Sequence, residues 1–222
     1  MGAALLQKQF ESVLAGPLGW QVRPTPEMVR TGISQVDAAI GGLPRGCLTE
    51  IFGPASSGRA SLLASILAAA TEREEVCALV DAEDAFDPLS AAAAGVRLEK
   101  LLWIRCNHNA EHALKAADLL IHGGGFGLVA LDLGDTPPPT ARRISLTSWF
   151  RLRRAVENTA TVLVAVARQS NAKTCASLML ECTRERACWR GGTKLLRGIQ
   201  VRVMRRKPAR AVTAVYDAPA LE

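Results

Sequence analysis

The segment Ile51-Phe52-Gly53-Pro54-Ala55-Ser56-Ser57-Gly58-Arg59-Ala60-Ser61-Leu62 constrains this chain more than any other. An apolar run, Leu48 to Phe52, precedes it, and an alanine-rich run, Leu62 to Ala70, follows it. That order reads as strand, glycine loop, helix. Such a loop gathers backbone N–H groups, and the helix N-terminus adds positive potential, so the unit suits a phosphate group. Against the phosphate-loop pattern G-x-x-x-x-G-K-[ST], Gly53 and Gly58 hold the two glycine places. Arg59 stands at the lysine place and Ala60 at the Ser/Thr place.

Both departures have chemical consequences. Lysine places a compact charge on phosphate, whereas Arg59 keeps the charge on a wider, planar head. The Ser/Thr hydroxyl of the pattern is a magnesium ligand, and Ala60 has no oxygen. Ser61 comes one residue late, about 100° around the helix, and is expected to point elsewhere. Phosphoryl transfer depends on Mg²⁺ and positioned charge. The expectation is therefore a site at Gly53 to Ser61 where ATP binding is possible, Mg²⁺ is poorly supported, and hydrolysis is weak or absent.

With 222 residues, 49% hydrophobic and 22% charged, the chain suits one sizeable globular domain with short appendages. No apolar run suits a membrane span, and Met1 to Gly16 lacks the charged and apolar regions of a secretory signal. Cys47, Cys77, Cys106, Cys175, Cys182 and Cys188 form no C-x-x-C pair. Free thiols in a reducing cytosol are the expectation, with no metal site. The net charge of +6 conceals an asymmetry: from Arg142 onward there are 17 Lys+Arg against 5 Asp+Glu, and residues 1–141 carry the other 10 and 16. A basic second half on an acidic first half suits a polyanion such as nucleic acid. A solubilising surface, or contact with the acidic half of a second copy, would read the same way.

Along the chain, Ala3 to Ala15 reads as a short amphipathic helix broken at Gly16-Pro17-Leu18-Gly19. Residues 1–30 are thus an N-terminal helix and linker, and residues 31–222 the core. Ser34 is expected to cap a helix ending at Gly41-Gly42. Val76 to Asp81, Leu101 to Ile104, Leu128 to Asp132 and Thr161 to Ala167 read as buried strands. Helices are expected at Ala110 to Ile121 and Ser145 to Asn158, the latter with Trp149 and Phe150 facing the core. Asp135 to Thr140 reads as a stiff proline turn, and Ser170 to Arg190 as a long connection. Ile199 to Arg206 alternates as a strand with one basic face, with Ala211 to Tyr216 as its hairpin partner. Alternating strands and helices imply an α/β fold with a mostly parallel sheet, its ligand at the carboxyl edge.

Four segments in series carry a resemblance: Thr31-Gly32…Val36-Asp37, Gly41-Gly42-Leu43-Pro44-Arg45-Gly46, the Gly53 to Ser61 loop, and Asp81-Ala82-Glu83-Asp84-Ala85-Phe86-Asp87-Pro88. In that order they resemble the RecA recombinase family. The resemblance implies a RecA-type phosphate-loop core. It places Glu83 where the family carries the glutamate that activates water; a helix-start carboxylate in a strand-end loop is the plainer reading of the same residue. It puts Asp132 at the second acidic motif, behind the magnesium shell. It puts Gln169 near the place of the glutamine that senses the γ-phosphate, one residue out of register, with Arg168 in the matching place. The family's DNA-binding loops correspond to a short proline-rich segment and to Ser170–Arg190, followed by Gly191-Gly192. Arg142, Arg143, Lys173, Arg184, Arg186, Arg190, Lys194 and Arg197 are the candidate DNA-contacting residues, for single strands first.

The brevity, the altered loop and the segment Arg143 to Thr159 are most similar to the short bacterial ImuA proteins. That likeness implies an accessory factor in SOS mutagenesis, cytoplasmic and nucleoid-associated. Its implied partners are DNA and proteins such as error-prone polymerase subunits or RecA. A working DNA-dependent ATPase and a pure interaction module are the alternatives.

Overall fold

The computed structural model describes residues 25–189, 195–208 and 211–219. The expected helix at Ala3 to Ala15 lies outside them. An eight-stranded mixed sheet organises the fold. Its strands are β3 (Cys47–Phe52), β4 (Cys77–Asp81), β5 (Leu101–Arg105), β6 (Leu128–Leu133), β7 (Val162–Ala167), β8 (Leu178–Trp189), β9 (Leu196–Lys207) and β10 (Val212–Pro219). A separate two-stranded sheet pairs β1 (Met28–Val29) with β2 (Leu43–Pro44). The large sheet runs β10-β9-β8-β3-β7-β6-β4-β5, and the expected α/β class with a mostly parallel core stands. Strands β8, β3, β7, β6, β4 and β5 are parallel neighbours, while β9 and β10 add antiparallel strands.

The central strands are apolar along their length because helices cover both faces. On one face Ile51, Leu79, Ala130, Val164 and Leu180 meet Leu62, Leu63, Ile66 and Leu67 of helix α2 (Arg59–Glu72). Their spacing makes a stripe on a 3.6-residue period. Val36 and Ile40 of α1 (Ser34–Ile40) and Ala91 of α3 (Pro88–Ala93) complete that layer. On the other face Leu48, Val80, Val129, Leu131 and Leu163 pack on α4 (Ala110–Gly123) and α6 (Leu146–Val156).

Local departures from the sequence expectations have physical causes. Ser34 begins α1 without capping it; its hydroxyl bonds the adjacent Gln35. The first turn is instead stabilised by Asp37, which accepts from the Thr31 amide and hydroxyl at 2.8 Å each. Gly41 closes α1 in the left-handed region, φ 81°, as expected of a C-terminal glycine. The proline segment enters helix α5 (Pro138–Arg142), because prolines at a helix start lose no hydrogen bond. Trp149 is 1% exposed as expected, but Phe150 is 50% exposed and lies under Arg153. The stretch read as a connection is mostly strand β8: Leu178, Leu180 and Cys182 alternate into the core. That pattern fades after Cys182, where β8 has parted from β3 and keeps β9 as its only neighbour.

Glu50 is fully buried in β3. It accepts from the Ser170 hydroxyl (2.7 Å) and from the amides of Asn171 (2.5 Å) and Ala172 (2.8 Å). The carboxylate thus shapes the turn after β7. Glu50→Ala would strand two buried amides, a loss of about 2–4 kcal/mol, read as a lower urea midpoint than wild type. An unchanged midpoint would show that the turn is held by other contacts.

Candidate functional site

The carboxyl edge of the sheet gathers the loop from Gly53 to Gly58, Asp81, Glu83, Asp132, Gly134 and Arg168. One register row, Phe52, Ala167 and Leu133, aligns the ends of β3, β7 and β6. Arg168 therefore leaves β7 between the phosphate-type loop and the turn after β6.

The loop is tightly packed from beneath. A Cβ at Gly53 would lie 2.2 Å from the Cys182 carbonyl oxygen, and one at Gly58 2.3 Å from Val201 Cγ2. Gly58 also has φ +89°. The two glycines are thus required by strands β8 and β9 lying against the loop, apart from any ligand. Tyr216 on β10 donates to the Gly58 carbonyl at 3.3 Å. Pro54, Ala55 and Ser56 remain exposed. Ser57 is 1% exposed, and its Oγ has no hydrogen-bond partner among the described residues. Helix α2 starts with no side-chain cap and no acidic residue in its first turn. An uncapped 14-residue helix beside a buried, unsatisfied hydroxyl is suited to an anion.

Arg59 is 7% exposed. Its guanidinium donates to the Gly134 carbonyl at 3.0 Å. Arg168 Nε donates to the same oxygen at 3.2 Å, and its guanidinium also meets Asp135 at 3.4 Å. On the other side of this peptide unit, the Gly134 amide donates to Asp132 Oδ1 at 2.7 Å. Two cations therefore converge on one carbonyl, and the adjacent amide faces a carboxylate. Burial pulls Arg59 below the usual guanidinium range, while Asp132 and Asp135 pull it upward. Burial pushes the Asp132 carboxyl up to about 6, against the Gly134 hydrogen bond and Arg59, which lower it.

Asp132 also reaches a cavity of about 240 Å³ between α2 and the Ala85–Ala91 segment. Ala60 and Ser61 line the same cavity, which no residue from Gly53 to Gly58 lines. Asp81, opposite Asp132 in the sheet register, accepts from the amides of Glu83, Ala85 and Phe86 and from the Trp103 indole. That carboxylate folds the segment carrying Glu83. Glu83 in turn meets His108 Nδ1 at 2.9 Å. Asp84, Asn107 and His108 all have positive φ here, an uncommon backbone state for non-glycine residues.

Gln169 lies just past the edge, with its Oε1 held by Arg142 at 2.5 Å. Arg168, not Gln169, makes the contacts with Gly134 and Asp135. Arg142 thus has an internal partner, and Arg143 lines a cleft with His108, Lys115 and Arg151. Lys173 is exposed on the turn before β8. Strand β3 pairs with β8 only as far as Glu181, so beyond the carboxyl edge β8 continues as an antiparallel ribbon with β9, flanked by β10 from Gly198 on. Arg184, Arg186 and Arg197 are exposed on it, beside Trp189 and Leu196. The expected basic face of β9 is partly neutralised, since Arg202 pairs with Glu185 and Arg206 with Glu181. Arg190, Lys194 and Gly191-Gly192 lie outside the described residues.

Sequence reasoning overlooked Glu50, Asp81 and His108 as organising groups. A lone glutamate inside the apolar run Leu48 to Phe52 was the available signal for Glu50. Nothing local marks His108, which is brought to Glu83 by the pairing of β4 with β5.

Asp132 yields a pH prediction. Its folded-state value lies above the ordinary 3.8, so the native state holds the proton more tightly than the unfolded chain. Stability from this group is present below the unfolded value and is lost as pH rises through about 6. Asp132→Asn should raise stability at pH 7.5 by on the order of 1–2 kcal/mol, and the gain should vanish near pH 4. Thermal melts of both proteins across that range check it; a pH-independent difference would refute it.

The RecA N-terminal domain family model matches residues 3–141. The chain is 31% identical to protein RecA of Deinococcus radiodurans over 177 residues, 72% of this chain and 48% of that protein. It is 33% identical to protein RecA of Chloroflexus aurantiacus over 156 residues, 63% of this chain and 44% of that one. With protein RecA of Kineococcus radiotolerans it shares 39% over 131 residues, 58% and 37% of the two chains. The chain spans less than half the length of these curated relatives. The matched region contains the glycine loop, the Glu83 segment and Asp132 at one sheet edge, and the chain belongs to the RecA family.

Proposed function

We propose that this chain is an accessory factor of DNA damage tolerance, binding DNA and protein partners with weak or no ATP hydrolysis. The observation that carries the reading is Arg59: its guanidinium is turned onto the Gly134 carbonyl, next to an alanine where the pattern has a magnesium-binding hydroxyl. A site built this way lacks the metal geometry on which phosphoryl transfer depends. The DNA part draws on the ribbon of β8 and β9. Arg184, Arg186 and Arg197 make no ion pair among the described residues, and Trp189 stands 58% exposed beside them. Exposed cations supply phosphate affinity, and an aromatic ring offers a stacking surface to an unpaired base. Lys173, Arg190 and Lys194 remain candidates for the same contact.

The resemblance to ImuA proteins extends the reading to SOS mutagenesis, with error-prone polymerase subunits or RecA as partners, in the cytoplasm at the nucleoid. Glu83 and Asp132 at the carboxyl edge favour a second reading, a DNA-dependent ATPase of the RecA type. Glu83 in that reading must leave His108.

Phosphate release from ATP and Mg²⁺ should stay at background with single-stranded DNA present. Turnover that is stimulated by DNA and lost in Glu83→Gln would establish the second reading. Arg184, Arg186 and Arg197 changed together to alanine should weaken oligonucleotide binding. The slope of log affinity against log salt should fall by about 2, since each lost phosphate contact on a single strand contributes about 0.7. Unchanged affinity and slope would remove DNA contact from the ribbon.

A further inference from the structure

We propose that the loop from Gly53 to Gly58 holds an oligophosphate without a divalent cation, the buried Arg59 guanidinium serving as its internal counter-charge. This rests on the reading of the loop as a nucleotide site and adds how that site balances charge.

RecA-like phosphate loops imply a magnesium ion, and the residues present do not fit one. Ala60 offers no oxygen. Asp132 Oδ1 is already taken by the Gly134 amide at 2.7 Å. The protein's own share of a magnesium shell at such a loop is the hydroxyl that Ala60 lacks, and two guanidinium groups, Arg59 and Arg168, already face the turn after β6. Their positive charge opposes a further, divalent cation there.

The same features suit an anion. The α2 amides are uncapped. Ser57 Oγ is buried without a partner within the loop. Among the described residues Arg59 donates one hydrogen bond, to the Gly134 carbonyl, and a guanidinium carries five N–H donors. Donors therefore remain for phosphate oxygens at a place already desolvated. A magnesium ion ordinarily both neutralises and orients the phosphates. Arg59 keeps the neutralising part with a charge the protein cannot lose by chelation. It cannot supply the ordered water and oxygen geometry of the ion, which agrees with binding uncoupled from hydrolysis.

The test is calorimetric titration of the full chain with ATP, once with Mg²⁺ and once with EDTA, with inorganic pyrophosphate titrated in parallel. ATP affinities in the two conditions should agree within about threefold, less than 1 kcal/mol. Pyrophosphate binding in EDTA would assign the recognised group as the oligophosphate alone; ATP binding without it would add the nucleoside. Restoring the pattern with Arg59→Lys and Ala60→Ser together should make ATP binding Mg²⁺-dependent, with EDTA costing about tenfold or more. Wild-type binding that requires Mg²⁺ overturns the proposal. So does a double variant as indifferent to EDTA as wild type. Absence of ATP binding in both conditions overturns it as well and removes the nucleotide reading, while the oligonucleotide titration above still decides the DNA role separately. The wild-type comparison needs no variant to fold.

Discussion

A guanidinium keeps its proton at any ordinary pH, so a buried arginine must be answered by acceptors. Arg59 sits at the N-terminal turn of α2, where helix potential is already positive. Its nearest neutralising groups lie across the sheet edge, at the turn following β6. The bond to the Gly134 carbonyl therefore ties the glycine loop to the second acidic turn through one side chain. Arg168 joins from β7, the strand that separates the two. The carboxyl edge is cross-braced by cations and carbonyl oxygen where the family pattern would place a hydroxyl, a lysine and a metal.

The loop is held from beneath as well as by that brace. Gly53 is pressed against the Cys182 carbonyl and Gly58 against Val201. The motif glycines serve packing against β8 and β9 as well as any phosphate. A side chain at either position would collide with the sheet, so packing alone requires both glycines. Persistence of the glycines is thus weak ground for inferring turnover, and the identities at Arg59 and Ala60 are stronger ground for judging it.

Much of the fold was legible because buried parallel strands are long apolar runs and helices carry a 3.6-residue stripe. Val162 to Ala167 and α4 need nothing beyond that pattern. Strand β8 was missed because half of it has left β3 and pairs only with β9: after Cys182, apolar alternation gives way to Thr183, Arg184, Glu185 and Arg186. A bulge between Arg184 and Arg186 breaks the period further. Phe150 was misplaced because helical spacing alone does not say how wide the covered face is, and α6 is covered through Trp149, Leu152 and Val156. At the site, positions Gly53 to Ser61, Glu83 and Asp132 follow from motif order. Contacts made across strands do not: Glu83 with His108, Arg142 with Gln169, and Arg168 with Gly134 join residues 25 or more positions apart.

The ribbon of β8 and β9 and the glycine loop are one mechanical unit. The backbone of Cys182 and the side chain of Val201 touch the loop directly, and the same two strands carry Arg184, Arg186 and Arg197 beyond the sheet edge. A polyanion on the outer ribbon would act on strands whose inner parts form the bed of the loop. Conversely, phosphates drawn toward Arg59 would load the peptide of Gly134 and the Asp132 beneath it. A side chain at Gly53 or Gly58 would meet the Cys182 carbonyl or Val201, so the close packing of strand on loop is open only to glycine there.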